Sequence, residues 1–442
     1  MFRAIVLFLA TIGTSAAAEN VTSFSLDNGM DVVVIEDHRA PVVVHMVYYK
    51  VGAADEPPGQ SGIAHFLEHL MFKGTDDLEA GEFSRIVELN GGSDNAFTSR
   101  DQTAYYQRIA ADRLGLVMEM EADRMRDLRL SLEDVLTERD VILEERAQRT
   151  DSDPGSLFSE QRTAAQFMNH PYGIPVIGWR AEMEQLTLED ALAFYRTYYA
   201  PNNAILIVAG DVYPDDVHAL AEEHYGPLAP TPGLTERRRP QEPPHLAERR
   251  LVMEDARVGQ PYVIRSYLAP ERNAGDQETA AALVLLAELL GGSPATSAFA
   301  RKLQFETQVA VSSGAFYTDM AYDPSTFGIY IVPAQGVSLE QAEAALDQAL
   351  AEFMAEGVDI DALERLKMQA RAALIYETDN VQSVARRYGR ALTSGLTIED
   401  IQNWPDIVQS VTPEEIMEAA QLVFDRNNAV TGWLTHPEGD AQ

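Results

Sequence analysis

Hydrophobic and polar positions follow two periods along this chain. Pro41 to Val51 (PVVVHMVYYKV) is a nearly continuous apolar run of strand length, rich in Val and Tyr. After a polar loop, Ile63 to Phe72 (IAHFLEHLMF) predicts an apolar helix. Residues 187–204 (TLEDALAFYRTYYAPNNA) read as a helix, a turn and a strand. Thr187 stands three residues before Asp190, a capping-box-like start, and the apolar run ILIVAGD follows Ala204. The same signals return in residues 412–429 (TPEEIMEAAQLVFDRNNA), with Thr412 before Glu415 and the same Asn-Asn-Ala close, at a constant offset of 225 residues. Pro261 to Ala269 (PYVIRSYLA) and Glu278 to Leu290 repeat the earlier strand and helix at a similar offset. A constant offset across a capped helix and its strand predicts an internal duplication.

Leu228 to Arg250 is rich in Pro and Arg, has no hydrophobic period, and reads as a semi-extended linker. The expected division is a segment 1–18, a first domain 19–230, a linker 231–249 and a second domain 250–442. A chain of 442 residues is too long for one ordinary core. Strands in clusters with helices between them predict an α+β class. Each of the two similar domains should carry a mixed, mostly antiparallel sheet with helices packed on one face.

The amino terminus changes the picture of location. Arg3, the apolar run Ala4 to Gly13, and the small residues Ser15 to Ala18 form a signal-peptide pattern with cleavage expected after Ala18. The run is too short to span a bilayer, and no later stretch is long and apolar enough. Export across the inner membrane to the periplasm is the expectation, with no stable membrane insertion. Cysteine is absent, which excludes disulfides, thiolate metal sites and cysteine nucleophiles. A net charge of −35 argues against nucleic acid as a partner, since phosphate would be repelled.

The helix beginning at Ile63 carries candidate chemistry. His65 and His69, four apart, share one helix face and can take adjacent corners of a zinc tetrahedron. Glu68, one position before the second His, projects beside them, where a base for the attacking water belongs. A third ligand is needed, and without Cys a carboxylate is the natural choice. Leu132 to Arg149 (LEDVLTERDVILEERAQR) has a helical pattern, and Glu138 and Glu145, seven apart, fall on one face. Glu144 is the neighbouring alternative.

The run Gly62 to Thr75 (GIAHFLEHLMFKGT) resembles the pitrilysin family of inverted-motif zinc metallopeptidases, the inverzincins. Asn90 to Tyr106, Leu116 to Met125, His170 to Trp179 and Pro201 to Asp211 resemble further family segments, so the likeness spans nearly the whole mature chain. It implies peptide-bond hydrolysis with one Zn2+ per chain, Glu145 as third ligand, Glu68 as catalytic base and Glu138 as a supporting catalytic acid. It also implies that an unfolded peptide substrate binds as an extended strand along Asn95, Ala96, Phe97 and Thr98. Full-site relatives carry an Arg followed seven residues later by a Tyr in the second half. Here Gln304 and Val311 occupy the matched positions. The half-length, two-chain type, which includes the mitochondrial processing peptidase β-subunit, splits these duties between chains. The expected assembly is therefore a heterodimer with a sister subunit of similar length bearing the Arg/Tyr pair. A homodimeric or monomeric peptidase and a non-catalytic assembly subunit are the alternatives.

Overall fold

The computed structural model describes residues 20–235 and 237–437; the segment read as a signal peptide lies outside them. The first half runs β1 (Asn20–Ser25), β2 (Asp31–Glu36), β3 (Val42–Tyr49), α1 (Ile63–Leu70), β4 (Gly74–Thr75), α2 (Glu82–Leu89), β5 (Ser93–Thr98), β6 (Thr103–Ala110) and α3 (Leu114–Arg126). It continues through β7 (Leu128–Arg129), α4 (Leu132–Arg146), α5 (Pro154–Gln166), α6 (Arg180–Met183), α7 (Leu188–Tyr198), β8 (Ala204–Gly210) and α8 (Pro214–His224). The second half runs β9 (Arg249–Glu254), β10 (Tyr262–Ala269), α9 (Glu278–Ala287), β11 (Ala310–Tyr317), β12 (Ser325–Pro333), α10 (Leu339–Glu356) and α11 (Ile360–Glu377). It ends with α12 (Val381–Thr393), α13 (Ile398–Ser410), α14 (Pro413–Val423) and β13 (Ala429–Thr435).

The sheets display the duplication directly. The first has the order β1-β2-β8-β3-β6-β5 and the second, from its far edge, β9-β13-β10-β12-β11. Strand for strand, β2-β8-β3-β6-β5 matches β9-β13-β10-β12-β11. Directions match too: β2–β8 and β9–β13 are parallel, and the other pairs are antiparallel. The repeated helix–turn–strand units are α7–β8 and α14–β13, and both helices open on the capping boxes read from the sequence, Thr187/Asp190 and Thr412/Glu415.

Each half packs its own helices on one face of its sheet and borrows a helix from the other half for the opposite face. On the first sheet, Val34, Val43 and Val47 face Phe66 and Leu67 of α1 and Val117 of α3. The alternate residues Val33, Val44, Met46 and Tyr48 face Val384, Ala385 and Tyr388 of α12. A strand buried on both sides reads as a continuous apolar run, which explains β3. The backbone of α12 comes close because Gly389 lies over Tyr48; a Cβ there would stand 2.1 Å from the ring. In return, α5 of the first half covers the second sheet. Phe158 packs with Val258 and Leu434, and Gln166 Nε2 donates to the Tyr267 carbonyl at 3.2 Å.

The segment between α8 and β9 joins this interlock. Buried Arg239 pairs with Asp55 at 3.0 Å and Asp101 at 2.6 Å in the first half, and with Asp323 at 2.9 Å in the second. No helix among the described residues is long and apolar enough to cross a membrane.

Candidate metal centre

Two helices and one edge strand build the centre. Helix α1 starts at Gly62, whose φ of +87° suits glycine, and a Cβ there would lie 2.6 Å from the Ile177 carbonyl oxygen. The free N–H groups of Gly62 and Ala64 donate to the two oxygens of Glu56, each at 2.9 Å. Burial pushes the Glu56 carboxyl well up, although those two donors favour its charge. Ile63, Phe66, Leu67 and Leu70 anchor α1 in the core, which leaves His65 and His69 on the face toward α4.

Helix α4 opens on a Ser131/Asp134 capping box and buries Val135, Glu138, Ile142 and Arg146. Arg146 donates to the Gly178 carbonyl at 2.9 Å and pairs with Glu160 at 2.7 Å, tying the end of α4 to the turn beside Gly62. Directly after Glu145 and Arg146 the helix widens into a π-helical turn, Ala147–Asp151, a device common at functional sites.

These constraints bring His65, His69 and Glu145 together, with ligand atoms all within 4.8 Å of one another. Glu145 Oε2 stands 3.3 Å from His69 Nε2 and 3.7 Å from His65 Nε2. Donors about 2.0–2.1 Å from a tetrahedral ion are roughly 3.3 Å apart; the His69–Glu145 pair stands at that spacing and the His65–Glu145 pair is wider, and two imidazoles with one carboxylate are a donor set that suits zinc. His69 Nδ1 is held by Glu138 Oε1 at 2.9 Å, which turns Nε2 toward Glu145, and Lys73 Nζ holds Glu138 Oε2 at 2.5 Å. Arg149 pairs with the other oxygen of Glu145.

Burial drives His65 down to about 3, helped by His69 and Arg149, so its imidazole is neutral and ready to ligate. Burial also opposes charge on His69, but Glu138, Glu68 and Glu145 outweigh it and raise the pKa. For Glu138, burial is outweighed by the hydrogen bonds with His69 and Lys73, which hold its carboxyl below the usual range. Glu68 points beside the three donors. Burial pushes it up, while Thr98 and His69 pull part of the way back. A base needs a pKa raised toward its working pH, and this environment moves Glu68 in that direction.

The four residues read as a peptide-binding edge, Asn95 to Thr98, lie on β5, at the rim of the first sheet. Thr98 Oγ1 donates to Glu68 Oε2 at 2.6 Å, a contact with no local signal in the sequence. Lys73 and Arg149 were also missed, although each lies four residues beyond a site residue, His69 and Glu145, the spacing at which helical pairs meet. In the second half, Gln304 donates to Ser313 at 3.1 Å and Val311 is exposed on β11. Among the described residues no second cluster could hold a metal.

An HxxEH helix with two His ligands, a distant Glu and an adjacent free carboxylate is the arrangement of inverted-motif zinc metallopeptidases. The chain belongs to peptidase family M16. Residues 31–179 match the family model described as Insulinase (Peptidase family M16), and residues 185–370 match the Peptidase M16 inactive domain. The chain is 32% identical to the zinc protease PqqE of Helicobacter pylori, over 97% of this chain and 96% of that one. A crystal structure of a protease from Helicobacter pylori superposes with a TM-score of 0.86 at 28% identity, covering 94% of this chain and 99% of that chain. Pitrilysin shares the fold at a TM-score of 0.76 and 17% identity; 98% of this chain corresponds to 47% of that one.

Proposed function

We propose that the protein is a zinc metalloendopeptidase that hydrolyses peptide bonds in unfolded peptides. The observation that carries this reading is the meeting of His65, His69 and Glu145, with Glu68 beside them and tied by Thr98 to an open sheet edge. His65, His69 and Glu145 would hold one ion. Bound zinc would supply Lewis acidity, lowering the pKa of a water to about 7 and polarising the scissile carbonyl. Glu68 accepts the proton of the attacking water and delivers it to the departing amine. Glu138 fixes the His69 ring, and Lys73 keeps Glu138 charged for that task. The unpaired edge of β5 gives an extended peptide main-chain partners, which suits unfolded segments and disfavours intact globular proteins.

The working enzyme is the zinc-bearing subunit of a heterodimer. Gln304 and Val311 offer neither a guanidinium nor a phenol to the substrate carbonyl, and losing one such donor typically costs about 10²–10³ in kcat. Two copies of this chain share the same lack. The sister subunit is a chain of similar length that lacks HxxEH and carries an Arg followed seven residues later by a Tyr. The test is size-exclusion chromatography and peptide cleavage by the mature chain, alone and with that partner. At least a tenfold rise in a one-to-one complex is expected; full activity of the single chain, unchanged by the partner, removes the heterodimer and leaves the homodimeric or monomeric peptidase. Location is periplasmic. Amino-terminal sequencing from the host should begin at or near Glu19, and retention of Met1 in the cytosol overturns it.

A further inference from the structure

The outer face of the peptide edge carries unmatched positive charge. Side chains on β5 alternate between two faces. Asp94, which accepts from Ser84 of α2, and Thr98, which donates to Glu68, point toward the metal side. Phe97 points the other way, into the layer covered by α12, where it meets Tyr48 and Tyr106. Over this pair lies Arg386 of α12, its guanidinium carbon 4.7 Å from the Tyr106 ring centre and 5.6 Å from that of Phe97. Among the described residues Arg386 forms no ion pair, and its buried Nε has no hydrogen-bond partner. Arg108 on β6 shares the face of Tyr106, is exposed, and pairs across the strands with Ser93 rather than with an acid.

This chain has 69 acidic residues against 34 basic ones, so carboxylates are plentiful. Even so, none among the described residues neutralises Arg386. An arginine stacked on aromatic rings leaves the donors of its two terminal nitrogens in plane, in the geometry that matches a carboxylate. A peptide added beyond β5 would alternate its own side chains in the same way. Those facing Thr98 look toward the metal, and those between look toward Phe97 and Arg386.

We infer that Arg386 is a specificity-determining residue that selects peptides bearing an acidic side chain on the outer face of the bound strand. This rests on the reading of β5 as the peptide-binding edge. The preference must appear at one position, or at positions two apart, and never at adjacent ones.

The test uses the purified mature chain in the form that cleaves peptides, alone or with its partner subunit, and a set of neutral fluorogenic peptides. Glu, Gln or Lys is placed at each position in turn, and a parallel set carries N-methylated amides. A partly exposed charge pair amounts to about 1 kcal/mol, which predicts a fivefold excess of kcat/KM for Glu over Gln at the selected position. The excess should shrink in high salt. Arg386→Gln should bring the Glu/Gln ratio to one, Arg386→Glu should favour Lys, and Arg386→Lys should retain part of the preference. If N-methylation slows cleavage at alternate amides but Glu and Gln peptides are cleaved alike by the unaltered enzyme, this inference falls and the edge reading stands. If no N-methyl group matters, the edge reading falls and takes this inference with it. A Glu preference unchanged in a folded Arg386→Gln protein also overturns the assignment.

Discussion

Thr98 Oγ1 donates to Glu68 Oε2 at 2.6 Å, so the residue that ends the edge strand also holds the candidate base. Under the proposed function, substrate pairing along β5 and proton transfer at Glu68 share one mechanical element. Thr98→Val keeps the side-chain shape and removes the donor. A hydrogen bond to a charged group contributes about 1.5–3 kcal/mol, so kcat should fall roughly tenfold to a hundredfold. Bound zinc, measured by mass spectrometry, should not change, and Thr98→Ser should restore most of the rate. Loss of metal in Thr98→Val would refute this role.

The roles in the centre separate by metal content. His65→Ala, His69→Ala and Glu145→Gln should each lose zinc. Glu68→Gln should keep one zinc per chain and lose hydrolysis by about 10²–10⁴. Metal loss in Glu68→Gln as complete as in His69→Ala would reverse the assignment of base and ligand.

Glu138 acts through His69, since its carboxylate fixes the ring at 2.9 Å. Glu138→Gln should weaken zinc binding by about 10–100-fold, read by competition with a chelating dye. Lys73→Met should give a smaller change in the same direction. Unaltered zinc affinity in both variants would show that these groups serve only packing.

Acid should destabilise the chelator-treated chain partly through His65. Its pKa is about 3 in the folded protein because of burial, against about 6.5 when unfolded. Between these values the unfolded state binds more protons, so stability rises with pH through this window and is lost as pH falls toward 3. His69 is raised, so its contribution has the opposite sign: present at low pH and lost as pH rises through its folded pKa. Urea unfolding of the unaltered protein and His65→Gln at a series of pH values should differ in slope by up to about 1.4 kcal/mol per pH unit. Equal slopes would show that His65 is not the buried neutral group.

Arg239 should control whether the halves unfold together. It is 3% exposed and answers Asp55, Asp101 and Asp323 across the two halves. Arg239→Met leaves Asp101 without its ion pair and Asp55 and Asp323 with only Arg237 and His170, and breaking a buried pair costs about 3–5 kcal/mol. Calorimetry should show a lower melting temperature and a broadened or split transition. A single unshifted peak would mean that α5 and α12 alone hold the halves.

The sequence by itself determined much of this protein because the relevant signals are local. The HxxEH spacing placed His65, Glu68 and His69 on one helix, since an α-turn repeats near every fourth residue. Capping pairs at Thr187 and Thr412, with a constant offset, disclosed the duplication before any strand order was known. Helix α4 was harder to read. Its apolar residues Leu132 and Leu136 are exposed at 61% and 43%, while Glu138 and Arg146 are buried, so hydrophobic periodicity did not mark the inward face. Only the resemblance distinguished Glu145 from Glu144. Tertiary structure decided the rest. The exchange of α5 and α12 between sheets, the Arg239 node, the Thr98–Glu68 bond and the stacking of Arg386 on Phe97 and Tyr106 join residues far apart in the chain. Such contacts leave no period or spacing in the sequence, because which surfaces meet is settled only when the two sheets bury both their faces.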